Sequence, residues 1–493
     1  METMRHPIIL SALALYMLLC VAVGVWAMRR TRSTHDFFMA GRELGVMLTA
    51  FAVFSSTLSG FGFVGGPGLV YRMGMSSVWM VVAAAIGFQV TFLALGKRLR
   101  LMAELGNAVS LPDVVALRYG RRSTRFFVAL AIILGVLGYL ATQILAMAVV
   151  LQDVLREASW WPGISLEACV AISSAILVFY VVTGGIIASV YTDLVQGAMM
   201  VVAALAIFFT VVTTFDGGMR GIADAIAADD PEAIGPWGTL GVFGCLSWLF
   251  VFGMGGSGQP HVITKLMMNR RVRDARHILP VTLLGYVFSA LLWIGIGLFM
   301  RAMVVSGQHP ELDAADAAAS QFLQHYAHPV LAGVVLAGLF AAIMSTADGF
   351  LNIGTAAIVH DIPRSFGVSL AHELWWARVV TVLLATASAL FALYTGDLVA
   401  ILGAFGWGTF AAALVPVVTI GFNWKRATPL AANVAILSSL AFNFIVKIAG
   451  IQMPYRIDAG AVALALSLVL FIGISWLSPK PDLSPEVEEV LEM

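Results

Sequence analysis

At 493 residues, with 60% hydrophobic and 11% charged side chains, the chain carries less than half the charge of a soluble domain, where about 25% is usual. Runs of roughly 20 apolar residues cross a ~30 Å hydrocarbon core, so the composition describes a membrane protein of about a dozen crossings and excludes a sizeable soluble domain. The 28 basic and 28 acidic residues balance, which excludes a polybasic nucleic-acid binder. Cys20, Cys169 and Cys245 lack the spacing of a disulfide or zinc framework.

Apolar windows punctuated by Gly, Pro and charge predict about thirteen spans, at roughly 7–27, 45–70, 76–96, 125–150, 163–183, 188–214, 238–258, 278–300, 329–356, 375–395, 398–421, 428–450 and 458–478. The first run is followed by Arg29, Arg30 and Arg32, whereas a signal peptide places its cations ahead of the apolar stretch. It is therefore expected to remain as a helix with its N-terminus outside. Alternating from there, the loops holding Lys97 to Arg125, Lys265 to Arg276, and Lys425 with Arg426 fall inside, a basic excess of roughly three to one over the outer loops. This orientation puts the C-terminus in the cytoplasm.

The second span contains Ser55-Ser56-Thr57-Leu58-Ser59-Gly60-Phe61-Gly62-Phe63-Val64-Gly65-Gly66-Pro67-Gly68, hydroxyls, glycines and a proline that make a poor continuous helix. Further on, Asp193 lies in Gly184-Gly185 to Thr192-Asp193-Leu194-Val195-Gln196. A carboxylate there is either part of an ion path or a cap at a helix end. The seventh span closes on Gly253-Met254-Gly255-Gly256-Ser257-Gly258-Gln259-Pro260-His261, a second interruption five spans after the first. Backbone freed in hydrocarbon is tolerated where it lines a cavity or is buried in protein. Interrupted helices at matching places in two halves are the sequence pointer to a transporter's binding site. Glycine packing is the plain alternative.

His261 and His277 flank the basic loop and are expected to be solvated, as are the acidic external loops near Asp216 to Trp237 and Val304 to His328. The ninth span carries Ala342-Ile343-Met344-Ser345-Thr346-Ala347-Asp348, where two hydroxyls and the Ala342 carbonyl gather neutral oxygens of the kind that strip water from a small hard cation. Such hydroxyls also commonly bond the carbonyl of the preceding turn. The last fifteen residues or so, from Pro479, are expected to form a mostly disordered cytoplasmic tail.

With Asp36-Phe37-Phe38-Met39-Ala40-Gly41-Arg42, the Ser-Gly break, the 184–196 block, Gly258-Gln259-Pro260-His261 and Ala342 to Thr346 in this order, nearly the whole chain resembles the sodium:solute symporters. These include sodium/proline, pantothenate, glucose and monocarboxylate carriers. The resemblance implies an all-α polytopic fold that is LeuT-like: two inverted five-helix repeats with extra terminal helices, working by alternating access. It forms one transporter domain, 1–478, with repeats at about 45–214 and 238–421. It also implies a sodium ion held by the carbonyls of Ser55, Leu58 and Ala342 and the side chains of Ser345 and Thr346, with Asp193 on the inner ion path.

The function so implied is sodium-coupled import of a small amino acid or carboxylate through the plasma membrane. The solute, sodium and lipid are then the partners, with no organic cofactor, no nucleic acid and no enzymatic reaction. Proton coupling, or a sensor or channel on the same scaffold, are the alternatives. Thr57, Gln143, Phe252, Gly256, Gln259 and Trp407 are the solute-lining candidates. Proline carriers have an acidic residue in place of Thr57, and Trp and Tyr in place of Phe252 and Gly256.

Overall fold

The structure, a computed structural model, describes residues 7–15, 18, 19, 22, 44–156, 163–396 and 399–493, apart from the side chains of 156, 180, 183–192 and 195. The Asp36–Arg42 motif and most of the first span lie outside the described residues. Among those described, every extended regular element is helical. Ten runs are long and apolar enough to cross a membrane, and Val46–Thr57 and Leu166–Phe179 are shorter apolar helices.

The first broken span consists of α1 (Val46–Thr57), a π-helical turn at Phe61–Gly65 and α2 (Gly66–Met73). Then come α3 (Val78–Leu105), the short α4 (Leu111–Tyr119) and α5 (Arg122–Arg156). The fifth and sixth expected spans fall in one helical segment, α6 (Leu166–Thr214), followed by α7 (Gly218–Asp229). The second broken span is α8 (Gly241–Gly255), a 3-10 turn at Gly256–Gly258 and α9 (Pro260–Met267).

Next are α10 (Ala275–Val305), α11 (Ala318–His325) and α12 (Pro329–Ala356), which runs on through a π-helical turn at Ala357–Asp361. The chain ends with α13 (Glu373–Thr395), α14 (Val399–Leu414), α15 (Pro429–Ile448), α16 (Ala459–Leu477) and α17 (Pro485–Glu492). The ten long runs fall short of the expected thirteen because the first span is largely undescribed and the second, after its short piece Val46–Thr57, runs on with the third as Phe61–Leu105. Of the fifth and sixth, Gln196–Thr214 is one of the ten and Leu166–Phe179 is among the shorter helices.

Both breaks occur where the sequence removes helical support, and a proline then restarts the helix: Pro67 in the first turn of α2 and Pro260 at the first residue of α9. Thus the seventh span extends to Met267, beyond its expected end at 258. Close approach of the first broken span to its neighbours requires glycine. A Cβ at Gly60 would lie 2.5 Å from the Ala146 Cβ, and one at Gly66 2.4 Å from the Trp293 ring.

Three expectations about the solvated segments are corrected. The 479–493 tail is ordered in its second half: Ser484 caps α17, Val487, Val490 and Leu491 are buried, and Lys425 reaches Glu488 at 2.8 Å. The buried i, i+3, i+4 triplet gives this segment an apolar stripe that its acidic residues obscured. The two external loops contain α7 and α11, each with buried apolar side chains. Within the second loop, Asp316 is 5% exposed and its Oδ2 accepts a 2.7 Å bond from Val399 N–H, so that it caps the start of α14 from 83 residues away.

Burial pushes the Asp316 carboxyl up to about 6, against the opposing pull of the Val399 N–H and the Arg72 charge. A carboxyl raised above its unfolded value contributes stability that is complete below about pH 4 and is lost as pH rises through about 6. Two units correspond to roughly 3 kcal/mol at most. We expect Asp316→Asn, which keeps an acceptor for Val399, to gain stability over the native chain between pH 4 and 7 in detergent melting curves. Parallel curves for the two proteins over that range would contradict the assignment.

Candidate functional site

At the first break the backbone exchanges helical partners for side chains. The last four carbonyls of α1, from Phe54 to Thr57, lie at a helix C-terminus, the negative end of its dipole. Phe54 O still accepts from Leu58 N–H at 3.0 Å, but Gly60 N–H donates across the bundle to Gln143 Oε1 at 2.9 Å. Gln143 Nε2 donates to Ser59 Oγ at 3.4 Å. One glutamine on α5 therefore replaces part of the missing helical ladder.

The wall opposite is α12. Thr346 Oγ–H lies 2.9 Å from Ser56 O and 3.0 Å from Ala342 O, so a single hydroxyl joins α12 to the end of α1. Ser345 Oγ donates to Asp193 Oδ1. The other carboxylate oxygen accepts from Lys265 Nζ at 3.2 Å, and the same ammonium donates to Ala52 O at 2.6 Å. Asp193 is 0% and Lys265 3% exposed, which makes this a buried ion pair.

The charge pattern of the sequence places Lys265 in an inner basic loop; in the structure it is a buried member of the polar cluster. The signal was available in its neighbours, since it interrupts an apolar helical run, Val262 to Met268, in a chain with an intramembrane Asp. The Ser55 hydroxyl turns back toward Ala52 O at 3.4 Å.

Between the two breaks lies an aromatic core. The Phe61 ring is 6.2 Å from Phe252 and 6.1 Å from Trp293, and Phe252 is 5.4 Å from Trp407. Gln259 Nε2 donates to Gly255 O at 3.0 Å, while its Oε1 is buried without a hydrogen-bond partner. Gln143, Phe252, Gln259 and Trp407 thus belong to this central region. Thr57 Oγ–H is turned into its own helix, 2.8 Å from Val53 O. Gly256 faces Gly87 of α3, where a Cβ would lie 2.8 Å from a backbone carbon.

His261, expected to be solvated, is instead 2% exposed at the start of α9, with its ring 4.7 Å from Phe350. Neither ring nitrogen has a hydrogen-bond partner. His277 is exposed as expected. Buried polar atoms in native proteins nearly always have partners, ordered water included, and Gln259 Oε1 and both His261 ring nitrogens are among the buried atoms here with none in the protein.

The sequence profile described as the Sodium:solute symporter family matches residues 37–438. Similar proteins include the osmoregulated proline transporter OpuE of Bacillus subtilis (strain 168), 27% identical over 487 residues, covering 96% of this chain and 95% of that one. The sodium/proline symporter of Escherichia coli (strain K12) is 26% identical over 473 residues, covering 94% and 92%. Among solved structures, a Na+-coupled sialic acid symporter in a substrate-bound outward-open state superposes with a TM-score of 0.77 at 20% identity, covering 97% of this chain and 99% of that one. A nucleobase-cation-symport-1 family transporter superposes at 0.58 and 13% identity, covering 92% and 98%.

The Asp193–Lys265 pair yields a test that does not depend on transport. Removing one partner of a buried pair typically costs about 3–5 kcal/mol, because the other charge is left uncompensated. Lys265→Met is expected to be destabilised by that order, and Asp193→Asn combined with Lys265→Met to recover a large part of it. Additive losses in a double-mutant cycle of detergent unfolding would show that the two charges do not act as a pair.

Proposed function

The chain belongs to the sodium:solute symporter family and moves a small organic solute across a membrane coupled to sodium; we propose that sodium binds where α1 meets α12 and the solute between the two helix breaks. The proposed sodium ligands are the carbonyls of Ser55, Leu58 and Ala342 and the hydroxyls of Ser345 and Thr346. The observation that carries this reading is the Thr346 hydroxyl, which bridges the freed C-terminal end of α1 and the wall opposite within 3 Å of both carbonyls.

Neutral oxygens suit a cation that must leave again, since they replace water without holding it permanently. The C-terminal dipole of α1 adds a favourable field. Asp193 has a supporting role: by accepting the Ser345 proton it leaves that oxygen's lone pairs for the ion. Lys265 balances the carboxylate, so the pair itself carries no standing excess of charge and the ion's ligands are the neutral oxygens.

For the solute, the free atoms of Gln259 and His261 offer an acceptor and a donor, while Phe61, Phe252 and Trp407 give an apolar wall. This chemistry fits a compact zwitterion or carboxylate with a short apolar body, and the proline-transporting relatives support the amino-acid end of that range. We further propose an N-terminus outside, a C-terminus in the cytoplasm and residence in the plasma membrane, from the basic inner loops. The two repeats are proposed to span about 45–214 and 238–421. Sodium binding first would favour the state in which the solute pocket is open to the outside.

Purified protein in liposomes is expected to accumulate proline or a related small acid only when sodium is higher outside. Ser345→Ala with Thr346→Ala is expected to raise the sodium concentration for half-maximal uptake at least tenfold, a loss of about 1.4 kcal/mol, with solute affinity at saturating sodium less affected. Uptake by the double variant with an unchanged sodium requirement would remove these ligands from the proposal.

A further inference from the structure

A second polar cluster lies at the end of the bundle that carries the basic loops, outside the sodium and solute region. It joins α4, the π-helical turn after α12, and the first turn of α13. His360 is hydrogen-bonded at both ring nitrogens, Nδ1 with Glu373 Oε1 at 2.8 Å and Nε2 with Asp113 Oδ2 at 3.0 Å. Asp113 Oδ1 pairs with Arg125 at 3.1 Å, and Asp113 Oδ2 also accepts from Val109 N–H at 3.1 Å. Asp361 is 0% exposed; its Oδ1 accepts from Ser110 Oγ at 2.6 Å, and its Oδ2 has no hydrogen-bond partner. One ligand atom from each of Asp113, His360 and Asp361 lies within 4.8 Å of the other two.

An imidazolium between Asp113 and Glu373 would account for both bonds of His360. It leaves a second buried carboxyl beside Asp113 with a bare oxygen, which must either carry a proton or face a counter-charge. A metal ion in place of the Nε2 proton accounts for all of it. The outer atoms of the three residues are already held from behind, His360 Nδ1 by Glu373, Asp113 Oδ1 by Arg125 and Asp361 Oδ1 by Ser110. This is the outer-shell support that orients metal ligands.

Among the groups in direct contact, Asp113, Asp361 and Glu373 bring three carboxylates and Arg125 one guanidinium around the imidazole, with Arg364 a further cation nearby. A set of one imidazole and two carboxylates suits Zn2+ and its first-row neighbours better than Mg2+ or Ca2+, which take oxygen ligands. Asp113 and His360 also border a cavity of about 640 Å³ that supplies an entry path and room for a fourth ligand, water or an anion facing Arg121, Arg122 and Arg364.

We propose that Asp113, His360 and Asp361 bind one zinc-type divalent cation, which ties α4 to the adjoining ends of α12 and α13. The test is isothermal titration of the purified full chain with Zn2+ after chelator treatment. The expected result is one equivalent bound, with affinity at least tenfold weaker in Asp361→Asn and in His360→Gln, and a rise in melting temperature with Zn2+ that Mg2+ does not reproduce. A second histidine pair, His309 and His325, has ring centroids 5.7 Å apart in another loop. Zn2+ binding that is lost in His325→Ala and kept in Asp361→Asn would overturn the proposal. Should the cluster variants fail to fold, X-ray absorption of the native chain with one equivalent of Zn2+ decides. One imidazole with an oxygen shell at about 2.0–2.2 Å supports the site, and a shell containing sulfur or several imidazoles rejects it.

Discussion

Hydrocarbon offers backbone amides no water, so every N–H and C=O released from a helix must find a partner inside the protein. The organisation of this chain follows from meeting that demand at two places. At the first break, the Gly60 amide is taken by Gln143 and the Ser56 carbonyl by Thr346, which brings α5 and α12 against the gap. At the second, the Gly255 carbonyl accepts from the Gln259 side chain. The helices that surround the breaks are there to complete a hydrogen-bond inventory, and the functional region is what that completion encloses.

The same medium makes the Asp193–Lys265 pair consequential. A carboxylate and an ammonium that are almost fully enclosed are held by mutual attraction and by hydrogen bonds to Ser345 and Ala52. Such a pair is weak evidence of stability, because desolvation offsets much of the attraction. Its consequence is positional, since separating α6 from α9 would leave each charge uncompensated in an apolar environment.

The sequence made the membrane class, both interruptions and the Ser345–Thr346 pair legible, because each is a local departure from an apolar background. What it concealed depends on contacts between distant segments. Lys265 looked like one more inner cation until Asp193, 72 residues earlier, was found beside it. His261 appeared to belong to a wet loop because the basic residues after Met268 suggested an early end to the seventh span, whereas Pro260 restarts the helix and carries the imidazole inward. Asp316 gave no sign of capping a helix that begins 83 residues later. The order of the tail depended on three apolar positions among acids, too short a pattern to weigh against composition.

The Lys265 ammonium has two acceptors on different parts of the chain, Asp193 on α6 and Ala52 on α1. Because α9 follows the second break and α1 precedes the first, the ammonium pins together one half of each interrupted span. Tilting α1 away from α9 therefore means parting the ammonium from the Ala52 carbonyl inside an apolar interior, where a lost hydrogen bond to a charge is costly. The two interrupted spans thus meet directly at this ammonium, apart from the aromatic contacts that also lie between them.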